Sequence, residues 1–151
     1  MARLVVVGYD GWTESVLAEL AGLDDVEYTV VVEEERGVRE RLVGDGHAVV
    51  TCAEVDAATM REAGVEGADG VLVATLDDQL NVLAVLTIRN VDESVPVVTF
   101  AGEDRDVPKL EAAGADTVLS LGQVVGELIV EVAITGRSSE QVLLELLELI
   151  D

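Results

Sequence analysis

Short apolar runs rich in β-branched residues recur along the chain: "LVVV" from Leu4, "YTVVV" from Tyr28, "HAVVT" from His47, "GVLVA" from Gly70, "VPVVTF" from Val95 and "TVLSL" from Thr117. Between them lie stretches whose apolar positions follow a helical period. These are "TESVLAELAGL" from Thr13, "RGVRERLVG" from Arg36, "DAATMREAG" from Asp56, "DQLNVLAVLTIRNV" from Asp78 and "DVPKLEAAG" from Asp106. Strand runs that alternate with helical patterns predict parallel βαβ units. Gly64 and Gly114 stand where helix C-termini favour a left-handed residue, Asp56 where an N-cap acceptor is useful, and Pro108 in a first turn that needs no amide.

The pattern predicts an α/β fold: a doubly wound, six-stranded parallel Rossmann-like sheet over residues 1–121, followed by two extra C-terminal helices over 122–151. The first of these, "GQVVGELIVEVAI" from Gly122, is apolar on most of its circumference. The second, "SSEQVLLELLELID", opens on an S-x-x-Q capping box at Ser138 and Gln141. Its only polar stripe is Gln141, Glu145 and Glu148, which leaves Val142, Leu143, Leu144, Leu146, Leu147, Leu149 and Ile150 around the rest. One sheet face does not cover such a helix, so a subunit interface is expected.

Half of the 151 residues are apolar, with one Trp and one Phe, so the core is aliphatic, as suits a covered parallel sheet. No apolar run approaches the ~20 residues of a membrane span, and direct membrane insertion is not expected. The net charge of −22 opposes nucleic acid and anionic membrane surfaces as partners. The acids are dispersed and Lys109 is the single lysine, a surface suited to a salt-rich cytoplasm and also compatible with an acidic protein of an ordinary cell. On the first reading, stability rises with salt as self-repulsion is screened. Cys52 and His47 read as a packed thiol and a structural residue. One His and one Cys do not make a structural zinc site.

The candidate site is the turn after the first strand. Gly8 opens a G-x-G-x-x-G fingerprint, but Asp10 and Thr13 hold its next two glycine positions. The second glycine lets the backbone approach a pyrophosphate at the helix N-terminus. A carboxylate there opposes a diphosphate by ~4 kcal/mol at 4 Å and an effective dielectric of 20. If the loop were two residues longer, Gly11 would make the tight turn and "GWTES" the helix entry. Glu33, at the end of the second strand, is placed either to bind a ribose diol or to sit as a solvated strand end, with Glu34 and Glu35 beside it. The ligand is unassigned: the site is a degenerate nucleotide site with weak or absent affinity for NAD or adenine nucleotides.

Three blocks, "REAGVEGADGVLVAT" from Arg61, "IRNVDESVPVV" from Ile88 and "LEAAGADTVLS" from Leu110, resemble the N-terminal domain of RCK proteins, the regulators of potassium conductance, including Trk-type regulators and microbial channel gating rings. The resemblance runs from Arg3 to about Ile134. It implies a non-catalytic cytoplasmic gating domain, at the inner face of the membrane, that forms a dimer or ring through residues 122–151 and partners a potassium channel or transporter subunit. It further implies that Thr75 and Asn81 match nucleotide-binding relatives, that Cys52-Ala53 replace a common Gly-Asp, and that the acids of calcium-gated rings would fall at Ala74, Phe100 and Gly102. The other reading is a nucleotide-binding module of an oxidoreductase or phosphoesterase.

Overall fold

In the computed structural model, which describes residues 1–34, 37–138, 140, 141 and 144, the first 120 residues wind five times between strand and helix. The strands are β1 (Ala2–Val7), β2 (Val26–Glu33), β3 (Ala48–Cys52), β4 (Gly70–Val73), β5 (Val97–Ala101) and β6 (Thr117–Ser120). The helices are α1 (Gly11–Ala21), α2 (Val38–Gly44), α3 (Ala57–Glu62), α4 (Asp78–Val91), α5 (Val107–Ala113) and α6 (Leu121–Thr135). All pairings are parallel, in the order β3-β2-β1-β4-β5-β6. The order reverses between β1 and β4, which puts a crevice at the carboxyl ends of those two strands.

Alternation along the strands divides the core into two layers. Val5, Val7, Val31, Val71 and Val97 pack with Met60, Ala84, Val85 and Ile88 on one face. Val6, Val30 and Val32 pack with Leu17, Leu20, Leu42 and Phe100 on the other. Each large aliphatic side chain so buried is worth ~1.5–3 kcal/mol.

Several boundaries differ from the sequence expectation for local reasons. Helix α1 starts at Gly11 because Asp10 caps it, two residues ahead of the first periodic residue. Helix α2 starts at Val38, after Gly37 in the left-handed region. Cys52 ends β3 itself, and α3 closes on Ala63 with left-handed Gly64 next. Asp56 caps α3 through the Thr59 amide at 2.7 Å, and Pro108 lies in the first turn of α5.

Helix α6 is different in kind. Ser120 caps it by accepting from the Gln123 amide at 3.4 Å, and Leu121 packs against the second core layer, but no residue of the helix is buried. Ile129 and Ile134 are 61% and 77% exposed. Beyond it the Ser138–Gln141 box is formed, each main-chain amide donating to the other residue's side chain. Of the seven apolar residues expected on the last helix only Leu144 is described, and it is exposed; the other six, with the helix they would form, lie outside the described residues.

Candidate functional site: the crevice between the first and fourth strands

Gly8 leaves β1 with φ near 100°, a conformation that favours glycine, and a methyl group there would overlap the Thr75 side chain. The tight turn of the loop is therefore at Gly8. Gly11 is the first residue of α1 and lies in open space, which corrects the longer loop register.

Asp10 closes the turn. Its Oδ1 accepts from the amides of Trp12 (3.0 Å) and Thr13 (3.2 Å), and the Thr13 hydroxyl accepts in return from the Asp10 amide at 3.2 Å. The other oxygen, Oδ2, accepts from the Leu76 amide at 2.7 Å, in the loop after β4. One carboxylate thus joins the two loops that flank the switch point. Thr13, at the third glycine position, is fully buried and its hydroxyl donates to the Ala74 carbonyl, which ties the first turn of α1 to the end of β4.

Thr75 and Asn81 form the floor. The Thr75 hydroxyl donates to Asn81 Oδ1, and Asn81 Nδ2 donates to the carbonyls of Thr75 (2.9 Å) and Phe100 (3.2 Å). Asn81 is fully buried, and its amide is used in joining the ends of β4 and β5 to α4. Asp77 caps α4 by accepting from the Leu80 amide at 3.1 Å.

Above this floor lies a cleft of about 180 Å³ whose lining includes Gly8, Asp10, Glu33 and Thr75. Gly11, Thr13 and Asn81 do not line it; they act through the loops they hold. Tyr9, Val38, Val55 and Asp77 do line it and were missed from the sequence. The readable signal for Tyr9 was its place between Gly8 and Asp10. Its ring also carries the Arg41 guanidinium 4.9 Å from the centroid. Among the described residues, the charged ones lining the cleft are Asp10, Glu33 and Asp77, all acidic. Glu33 is exposed and also borders an open recess of about 540 Å³ toward Arg39 and Glu40; Glu35 lies outside the described residues.

The residues weighed for other chemistry have local tasks. Cys52 is buried at the rim of β3, where burial first, then Glu33 and Asp56, push its thiol pKa up, so it is held as the unreactive thiol. His47 Nδ1 lies 2.6 Å from the Tyr28 hydroxyl. At the positions where calcium-ring acids would fall, the carbonyls of Ala74 and Phe100 accept from Thr13 and Asn81, and the Gly102 amide donates to Asp78 at 3.1 Å. Burial, then a hydrogen bond with Asp106, raises the pKa of Asp78, while Asp106 is lowered by that bond and by Lys109 at 3.2 Å. Asp104 accepts from the Ser120 hydroxyl.

A model of the TrkA-N domain matches residues 4–121. The GsuK RCK domain superposes with a TM-score of 0.70 at 26% identity over 91% of this chain, and the GsuK channel bound to NAD with 0.69 at 26% identity over 86%. The chain spans 29% and 23% of those two, under a third of their length. The NAD(P)-binding domain of an exopolyphosphatase-related protein from Archaeoglobus fulgidus, at 20% identity and a TM-score of 0.77 over 91% of this chain and 100% of its own, shares the fold.

Proposed function

The chain belongs to the TrkA-N domain family, and on that premise we propose that it is a non-catalytic regulatory domain of a potassium channel or potassium-uptake transporter, working on the cytoplasmic side and assembled with further copies of itself. The observation that carries the assembly half is α6, which leaves a well-packed body with Val125, Ile129, Val130 and Ile134 all exposed. Soluble proteins seldom leave an apolar helix face uncovered, and two-fold contacts are the commonest way for one helix to cover another. The potassium half is supported by the likeness to the GsuK channel at 26% identity. Among the described residues no helix is long and apolar enough to cross a membrane.

Regulation by such a domain requires a ligand or assembly state that favours one arrangement of copies over another. The alternative, a nucleotide module serving an oxidoreductase or phosphoesterase, draws on the crevice at the switch point and on the fold shared with the Archaeoglobus fulgidus domain. Two measurements separate the readings. Sedimentation equilibrium in molar salt is expected to give a dimer or larger species at tens of micromolar, reduced to monomer by Ile129→Glu; a wild-type monomer overturns the assembly. Deleting the gene segment for this domain is expected to change rubidium uptake by the cell, and unchanged uptake overturns the potassium assignment.

A further inference from the structure

The family's fold takes a diphosphate at the first strand-to-helix turn, where main-chain amides at the helix N-terminus face the anion. The residues of this chain do not fit that group. The amides of Trp12 and Thr13 at the start of α1, and of Leu76 across the crevice, already donate to Asp10 at 2.7–3.2 Å. Among the described residues, the charged ones lining the cleft are the acids Asp10, Glu33 and Asp77, so an incoming anion meets their repulsion in addition to occupied donors.

We propose that Asp10 is a tethered anion: its carboxylate takes the donors that a nucleotide's phosphates would take, and holds the β1–α1 and β4–α4 loops together without any ligand. The assignment rests on the two-sided grip. A residue serving only as an N-cap accepts from its own helix, whereas Asp10 also takes an amide 66 residues away on the far side of the switch point. The side chain reaches both because Gly8 turns the chain sharply and Thr75 packs against it there. A bound phosphate makes the same kind of cross-loop link only while it is present. Here the link is covalent with the chain, so the loops keep one arrangement whatever the nucleotide concentration. A diphosphate nucleotide is then excluded as the signal read at this crevice. The inference concerns the crevice alone and stands whether or not the chain regulates potassium flux.

The test is chemical complementation of stability, using the whole chain in molar potassium chloride with pyrophosphate and ADP as probes. Asp10→Gly removes the tethered carboxylate and restores the glycine that lets a phosphate approach. Its melting temperature is expected to fall below that of the wild type, and to recover by several degrees with millimolar pyrophosphate or ADP, since a ligand that binds the native state raises the melting temperature. The wild type is expected to shift by less than a degree under the same additions. Asp10→Asn, which keeps an acceptor in place, is expected to melt between the two and to gain less from either anion. A wild-type protein stabilised by pyrophosphate or ADP as much as Asp10→Gly overturns the proposal. So does an Asp10→Gly protein that is folded by circular dichroism and gains nothing from either anion. If Asp10→Gly does not fold, Asp10→Ser is read in its place by the same criteria.

Discussion

At each end of the sheet one charged side chain joins loops, and the two do so in opposite ways. At the carboxyl end the anion Asp10 collects main-chain amides from two loops. At the amino end the cation Arg89 collects main-chain carbonyls: Nη1 donates to Val95 (2.6 Å) and Asp92 (3.3 Å), Nε donates to Gly114 (2.9 Å), and Nη2 pairs with Asp116 at 2.8 Å. Asp116 in turn accepts from the Val97 amide at 2.8 Å. The Arg89 side chain is mostly buried, its partner Asp116 is exposed, and the junction lies away from the crevice, whereas Asp10 lines it. The difference separates a side chain kept for stability from one standing where a ligand would be.

The largest effect is expected at the amino end of the sheet. Arg89→Met keeps most of the stem but leaves the Val95 and Gly114 carbonyls and Asp116 without their donor, and is expected to cost about 3 kcal/mol, read as a lowered urea midpoint at constant slope. Added pyrophosphate is expected to leave that loss untouched; a rescue there would erase the distinction between the two ends. Gly114→Ala probes the same junction from its other side. Gly114 has φ near 117° and its added methyl would lie 2.8 Å from Arg89 Cγ, so a loss of about 2 kcal/mol is expected in the same measurement.

A smaller effect is expected at the rim, where Asp10→Ala is expected to cost about 1 kcal/mol, the usual worth of an N-cap. A loss as large as that of Arg89→Met would make Asp10 a second structural anchor. The smallest effect is a pH dependence at the amino end. Asp92 accepts from the Gly67 amide at 3.0 Å and from the amides of Ser94 and Val95, and these bonds lower its pKa from 3.8 to about 2. A carboxyl lowered on folding contributes stability above its unfolded pKa and loses it as the pH falls through the folded one. Stability is therefore expected to decline between about pH 4 and pH 2, and Asp92→Asn to flatten that limb in an acid titration of the melting temperature.

The sheet, its layers and most helix ends were legible in the sequence because they depend on period and on local punctuation, as Asp56 and Pro108 show. The crevice was legible only in part. Asp10 was read as a charge placed against a phosphate, and the reading lacked the Leu76 amide, which no local pattern connects to residue 10. Thr13 read as a missing glycine; its hydroxyl instead uses the close approach of α1 to Ala74 that a glycine would permit. Asn81 was singled out through the resemblance alone, because a polar residue in an amphipathic helix gives no sign of whether its partners are carbonyls of its own sheet. Arg89 sat in plain view inside "IRNVDES", yet its task became visible only where two loops met.

The way α6 is attached makes it a lever. Fifteen residues at 1.5 Å each give a rod of about 22 Å fixed to the body through Ser120 and Leu121 at one end. A tilt of about 5° at that pivot carries the far end through about 2 Å, close to the scale of helix shifts at subunit interfaces that switch assemblies. The pivot follows the carboxyl end of β6, on the same rim of the sheet as the crevice. In the proposed assembly a small rotation of the rigid body would be delivered to a neighbouring copy as a displacement, with no loop in the crevice having to open.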